Sequence, residues 1–333
     1  MPPDPKQLLS TVQALISSEM GWQLSFPCHE DGGELEPFIW NREEQGKLTP
    51  LNLVRAEGWL QIADGKGFDG AKVIDQWQAP ERTGSVNGER WLVPDWDAAG
   101  ILLDEVTQAE RVQLYQNLLE LLQTQLHNLQ MVQLSCGTDY TLTLLAAEAE
   151  NQWICLAPTV PHATTVDENS PIQVAMGSVP QSSPDAASLI GPQAEAILDR
   201  LGTIQLYGYY GGGYNQVHDY RYTVAQGATL DQAIEQAMLL TGLLEIGEFE
   251  AFRPTNSETS ETSETSETDE ATFEHLAQFL QTLTERRVYR FSFWNREHWY
   301  ILGQEAASQE AASQETANEW VGVVLRSRFT YNP

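Results

Sequence analysis

The stretch from Thr107 to Leu156 decides how this chain is read: Thr107-Gln108-Ala109-Glu110-Arg111-Val112 opens an apolar-striped helix, and strand-like runs follow it. The helix is expected to reach about Gln130, with Val112, Tyr115, Leu118, Leu119, Leu122, Leu126 and Leu129 on one face. Thr107 and Glu110 read as a capping-box pair at its start. The runs are Met131–Leu134, Tyr140–Leu145 and Trp153–Leu156. The same order returns between Asp269 and Phe329: a helix over Phe273–Leu283, then Val288–Phe293, Trp299–Leu302 and Trp320–Leu325. Even the lead-ins to the last runs agree, Asn151-Gln152-Trp153 and Asn318-Glu319-Trp320. An internal duplication is the expectation that organises the rest.

Outward from these anchors, each half reads helix, hairpin, helix, strand, acidic loop, helix, three strands. In the first half a helix spans 5–19, with Leu8, Leu9, Val12, Leu15 and Ile16 on one face and Gly21 after it. A hairpin (Trp22–Phe26 and Pro37–Trp40) encloses the polar run Cys28–Glu34. Thr49-Pro50 caps a short helix carrying Leu51, Val54 and Leu60, and Lys72-Val73-Ile74 reads as a strand. Residues 78–105 are loop-like. In the second half Pro192 opens a helix that ends at Gly202. Ile204–Tyr207 and Tyr220–Val224 form a hairpin pair, Thr229 caps a helix through Leu240, and Phe249–Phe252 is a strand. Helices mixed with antiparallel strands place the chain in the α+β class, as two αβα sandwiches in tandem. The boundaries are 1–158 for the first unit, 159–189 for a flexible linker and 190–333 for the second. The second unit carries low-complexity inserts at 255–270 (four Ser-Glu-Thr triplets) and 304–318 (near-copies of Gln-Glu-Ala-Ala-Ser), too polar to bury anything.

The 333 residues hold 47 acidic and 18 basic side chains, a formal net charge of −29. Nucleic acid and anionic membranes repel such a chain; basic partners attract it. The plainer meaning of the acidity is solubility. No apolar run nears the ~20 residues of a membrane helix, and the first residues lack the order of a signal peptide, so a cytoplasmic protein is expected. Cys28, Cys136 and Cys155 have neither disulfide-framework nor zinc spacing. The six histidines form no close ligand pair, no Gly-x-Ser-x-Gly elbow is present, and Gly65–Gly70 lacks the Lys-Ser/Thr end of a phosphate loop. Cys28 beside His29 is not evidence for a dyad, which needs neighbours in space. Tyr207–Tyr214, aromatic and Gly-rich, reads as a hairpin turn before a stacking platform. No cofactor, metal or enzymatic activity is indicated by these patterns. What stands out is acid beside aromatic: Glu30, Asp31 and Glu34 at the first hairpin, and Asp95, Trp96 and Asp97 before the long helix. Carboxylates speed encounter with a basic cleft and an indole supplies buried area. Alternatively, Trp96 closes a local core and the acids are merely solvated.

The first unit resembles the nuclease A inhibitor family of cyanobacteria. The likeness rests on the helix, the Gly, the hairpin run Gly33-Glu34-Leu35-Glu36-Pro37-Phe38-Ile39-Trp40, the Asp95-Trp96 loop, and the last helix leading into a Val-x-Leu strand and final hairpin. It covers about residues 6–158, and more faintly 190–329. The resemblance implies small acidic αβα sandwiches that bind and block a metal-dependent, sugar-non-specific DNA/RNA endonuclease, whose basic groove is built for phosphates. On that likeness Glu30 matches the family carboxylate that approaches the nuclease metal, and Asp95 and Trp96 match its contact loop. The chain departs from the family in running on past the first unit, and in carrying Gly212 and the Ser-Glu-Thr array where the second unit should have the acidic positions. A module that binds another protein complex is the alternative expectation.

Overall fold

The computed structural model describes residues 10, 12–14, 23–26, 29–64, 68–83, 103–137, 140–160, 172–177, 189–210, 214–252, 267–293, 296–304 and 319–327. In the first half residues 10 and 12–14 are helical. Then come β1 (Gln23–Phe26), β2 (His29–Trp40), α1 (Arg42–Gln45), α2 (Pro50–Ala56), β3 (Leu60–Asp64), α3 (Gly70–Thr83), α4 (Glu105–Gln125), β4 (His127–Ser135), β5 (Thr141–Ala149) and β6 (Gln152–Pro158). The second half, entered through β7 (Ile172–Met176), contains α5 (Pro192–Leu201), β8 (Ile204–Tyr210), β9 (Tyr214–Tyr220), β10 (Tyr222–Gly227), α6 (Leu230–Thr241), β11 (Leu244–Phe252), α7 (Glu267–Thr282), β12 (Thr284–Phe293), β13 (Arg296–Gln304) and β14 (Trp320–Ser327). The fold is α+β, and its sheets are antiparallel.

The two halves share their sheets. One sheet runs β1-β2-β14-β13-β12-β11-β7, the other β10-β6-β5-β4-β3, and β8-β9 form a separate ribbon. The last strand of each half therefore takes its outer partner from the opposite half. Gly33–Trp40 of β2 pair with β14 from Ser327 to Trp320. Tyr222–Gly227 of β10 pair with β6 from Pro158 to Trp153. The leading helices cross over as well. Val12 is buried with Leu276, Leu280 and Trp299 on the outer face of the larger sheet. Ala194, Ile197 and Leu201 of α5 are buried with Leu118 and Leu122 on the outer face of the smaller one. The expected boundaries at 158 and 190 therefore separate no sheet from the other, since each sheet takes strands from both sides of them.

The core between the sheets shows why the exchange is stable. Val132, Leu134, Leu142, Leu144 and Cys155 from one sheet and Tyr289, Phe291, Tyr300, Trp320 and Val324 from the other are all buried in it. Helices α2 and α6 fill the same layer with Leu51, Leu53, Val54, Ala233, Ile234, Ala237 and Met238. They begin alike: the Thr49 and Thr229 hydroxyls accept from Asn52 N and Gln232 N, as N-caps do. Both helices are followed by a left-handed glycine, Gly58 at φ 72° and Gly242 at φ 81°. The chain then turns straight into β3 and β11, where Trp59 O accepts from Ser135 N at 3.0 Å and Leu243 O from Ser292 N at 2.8 Å. The bulges agree too, with Asn128 at φ 51° and Glu285 at φ 48° inside them.

Several elements depart from the sequence reading. Lys72-Val73-Ile74 lies in a helix, α3, and the strand of this region is β3, which contains the Leu60 assigned to the preceding helix. Val73 and Trp77 are buried four residues apart, a helical spacing, and Asp69 Oδ1 accepts from Ala71 N and Lys72 N at the start. The long helix is capped by Asp104, whose Oδ1 accepts from Thr107 N at 2.7 Å, so Thr107 is inside it. It stops at Gln125, and β4 begins at His127. The linker region contains strand β7, paired with β11. Residues 78–83 continue α3, and α7 starts at Glu267, within the end of the first insert. The rest of both inserts, apart from Gln304, lies outside the described residues, as do Cys28 and most of the 5–19 helix. Among the described residues, no helix is long and apolar enough to cross a membrane.

Beside the smaller sheet one ion pair is fully enclosed. Arg111 on α4 donates to Glu81 on α3 through Nε (3.0 Å) and Nη2 (2.6 Å), and through Nη1 to the Leu201 carbonyl of α5. The Tyr115 hydroxyl also donates to Glu81 and receives Tyr222 from β10 at 2.9 Å. Burial, the Glu81 charge and the bond to Glu81 push the Tyr115 phenol far above its usual range. This network ties three helices and a strand from both halves. Removing one partner leaves a buried charge, so Arg111→Met should destabilise by about 3 to 5 kcal/mol in denaturant titration, and Glu81→Gln by less. The exchange sets a second expectation. Residues 1–180 and 181–333 expressed as two chains should co-purify and unfold in one transition, and either alone should show no cooperative melt by circular dichroism.

Candidate functional site

The six residues singled out in the sequence fall in two places. Glu30, Asp31 and Glu34 are on β2, where His29–Glu34 pair with β1 alone up to Gly33 and β14 joins from Gly33 onward. Glu30 and Asp31 therefore belong to a two-stranded ribbon that runs beyond the edge of β14. Glu34 is half-buried and lies opposite both Gln23 and Arg326. Asp95, Trp96 and Asp97 lie outside the described residues.

Beside Glu34 the two halves meet in a polar cluster the sequence reading did not find. Its centre is Arg326 on β14. Nη2 and Nη1 donate to Glu57 Oε1 (2.9 Å) and Oε2 (3.2 Å), and Nε donates to Glu36 Oε2 at 3.2 Å. Glu57 sits in the turn between α2 and β3, so one guanidinium joins two carboxylates of the first half to a strand of the second. The planar fork of arginine matches a carboxylate in this two-bonded manner. Tyr300 adds a donor to Glu57 Oε1 at 2.7 Å, and its phenol is pushed up by burial and by the Glu57 charge. Burial is the largest single influence on Arg326 and opposes its charge, but the bonds to Glu57 and Glu36 and the nearby Tyr300 and Glu57 together outweigh it, and the pKa is raised.

His298 is next in the same row, directly across from Arg326 on β13 and Phe291 on β12. It is buried against Trp59, with ring centroids 4.7 Å apart. Arg326 Nη1 approaches His298 Nδ1 at 3.4 Å, and Cys136 Sγ lies 3.1 Å from Nε2. An arginine can only donate, so Nδ1 accepts and Nε2 carries the hydrogen. That hydrogen points at the sulfur of Cys136, which lies just past β4 in the first half. A ring in this tautomer offers sulfur a donor and no lone pair, so it cannot take the thiol proton. Among the described residues, Cys136 and His298, 162 residues apart, are Cys/His neighbours in space, and they bond across the junction with the ring as donor. Burial, then the Arg326 and Arg296 charges, pull the His298 pKa down from 6.5 to about 3. Among the described residues, no group of three or more His, Cys, Asp or Glu side chains gathers as metal ligands.

The signals for this cluster are faint in sequence. Glu57 and Arg326 are 269 residues apart, and only the strand order brings them together. A solitary Arg in the run Val324-Leu325-Arg326-Ser327 was the available cue, since an inward-facing cation needs a carboxylate.

Neither family models, curated proteins nor solved structures match this chain. The residues themselves have to carry any reading of function.

The low pKa of His298 fixes a sign. The folded chain holds the ring neutral, while the unfolded chain binds a proton near 6.5. Stability from this ring is present above pH 6.5 and is lost as pH falls toward about 3, with a slope of up to about 1.4 kcal/mol per pH unit. Urea titrations of wild type and His298→Gln at pH 7.5, 6.0 and 5.0 should show the wild type losing more stability on acidification. Parallel curves would show that His298 does not titrate on unfolding.

Proposed function

We propose that this chain is a non-enzymatic acidic protein that binds a metal-dependent, sugar-non-specific DNA/RNA endonuclease and blocks it by imitating nucleic acid. In this reading its two halves are nuclease-A-inhibitor-like αβα units in tandem, which have exchanged their leading segments. What supports it is the charge and where part of it falls in the strand order. Forty-seven acidic side chains face 18 basic ones, and Glu30 and Asp31 lie on the hairpin ribbon beyond the pairing of β2 with β14. A nuclease groove built for phosphates is basic, so a projecting acidic ribbon is steered into it. Glu30 is the carboxylate that would approach the nuclease metal. Asp95, Trp96 and Asp97 would supply further acid and an aromatic anchor. Glu34, opposite Arg326, would position the ribbon more than contact the partner.

A second reading has its own support: a module that uses the same scaffold to hold another protein complex together. Glu36 and Glu57 are engaged by Arg326 within the chain, so part of the acid near the hairpin serves internal cohesion.

Inhibition assays with a purified nuclease of this type separate the two. The wild-type chain should inhibit at near-stoichiometric amounts, and Glu30→Lys combined with Asp95→Lys should weaken inhibition at least a hundredfold with an unchanged melting temperature. Inhibition indifferent to both reversals removes the proposed contact. No inhibition by wild type, with stoichiometric co-purification of a complex lacking nuclease, decides for the assembly module.

A further inference from the structure

The two sheets end differently at matching strands. In the larger sheet the edge of β11 is covered by β7, antiparallel, with Gly247 opposite Met176 and Phe249 opposite Val174. In the smaller sheet β3 occupies the matching place, after α2 and a left-handed glycine, as β11 follows α6. Among the described residues, no strand pairs with the outer edge of β3.

The direction of the backbone groups follows from two bonds. Trp59 O accepts from Ser135 N, so Trp59 faces β4. By alternation along an antiparallel ladder, Gln61 and Ala63 also face β4, while the N–H and C=O of Leu60 and Ile62 point away from it. The counterpart of Ile62 is Ile246, four residues after its glycine in the same way, and the outward carbonyl of Ile246 accepts from Gly177 N at 2.9 Å. Ile62 is paired with the fully buried Val132, yet its own side chain is 40% exposed. The strand Leu60-Gln61-Ile62-Ala63-Asp64 has no Lys or Pro, the residues that commonly blunt such an edge.

We infer that β3 is a docking edge for an extended segment of a partner protein, added antiparallel as β7 is on β11. The segment would carry apolar residues at alternate positions, one of them over Ile62, with Lys or Arg flanking them. Main-chain bonds supply the attachment and alternate side chains the selectivity. The basic flanks follow from the chain's charge of −29; the same charge weighs against a second copy, which would set two strongly acidic surfaces together. The site is distinct from the acidic hairpin and does not depend on the nuclease reading.

The probe is a synthetic peptide with the β7 sequence between lysine pairs, Lys-Lys-Ile-Gln-Val-Ala-Met-Lys-Lys, offered to the full-length chain. Amide exchange is followed by NMR. In the free protein the Leu60 and Ile62 amides should exchange rapidly; with saturating peptide they should slow at least tenfold. Ile62→Lys should weaken peptide binding at least tenfold. Ile62→Pro, which deletes an outward N–H and leaves the bonds to β4, should do the same. Val106→Lys, at the other large exposed apolar side chain among the described residues, should leave binding unchanged, as should Glu30→Lys with Asp95→Lys apart from the loss of overall charge. If Ile62→Pro fails to fold, the lysine variant and the exchange data decide. The inference is overturned if the two amides are already protected in the free chain, if the peptide protects only β11, if binding ignores Ile62→Lys, or if β3 cross-links to β3 of a second copy.

Discussion

Everything in this structure depends on how the outer edges of β6 and β14 are satisfied. Each is the last strand of a run of antiparallel strands, and its free edge presents a row of unpaired N–H and C=O groups. Left bare, such an edge recruits other chains. Here each is covered by the other half of the same chain, β14 by β2 and β6 by β10. The covering strands bring their helices with them, so both halves bury apolar surface on each other's sheets. The core between the sheets therefore contains residues from both halves in one continuous cluster. Separation would expose two edges and that core together, so the halves cannot come apart in stages of small cost.

The exchange also explains two of the places where charge is gathered inside the molecule. At the β2–β14 seam a first-half strand brings Glu34 and Glu36 alongside Arg326, and the α2–β3 turn adds Glu57. At the other side, Arg111 of the first half donates to the Leu201 carbonyl of the second, and Tyr115, bonded to Glu81, receives Tyr222. Such clusters contribute little net stability against an apolar equivalent, but a shifted register would strand their charges. The seams thus favour one register of a pairing that the backbone alone would permit to slip.

Most of this plan was legible where a single helix or strand carries its own signal. The β4–β6 and β12–β14 runs could be read from β-branched and aromatic residues, and α2 and α6 from Thr caps followed by a buried face. Lys72-Val73-Ile74 misled because a β-branched pair in a short window looks like a strand; the helical evidence was Trp77, four residues past Val73 and buried like it. Thr107 misled because Asp104, three residues earlier, is a cap of equal chemistry. What no local pattern encodes is partnership. Nothing in Glu34–Trp40 says that its neighbour is residues 320–327, nor that Cys136 will face His298. An exchanged and an unexchanged pair of units have the same element order and the same periodicity, so the sequence reading separated them at 158 and 190.

Several turns and bulges of the two halves match, but what is buried at the matching places differs. Ser135 and Ser292 each donate to the carbonyl that opens the neighbouring strand, which makes Gln133 on β4 the counterpart of Arg290 on β12. Gln133 sits in an amide network that reaches one ammonium, accepting from Lys72 Nζ and donating to Gln76, which also receives Thr143. Arg290 is enclosed by Glu297 and Glu245, with the Trp299 ring 5.1 Å from its guanidinium and the indole N–H donating to Glu297. One position thus has an amide network under α3, the other a charged one at the same depth of the other sheet. A buried charge tolerates only partners of opposite sign, whereas an amide can donate or accept. The smaller sheet can therefore drift in sequence at this position more freely than the larger one. The hairpin that carries Glu30 and Asp31 belongs, through β2 and its pairing with β14, to the sheet with the charged cluster.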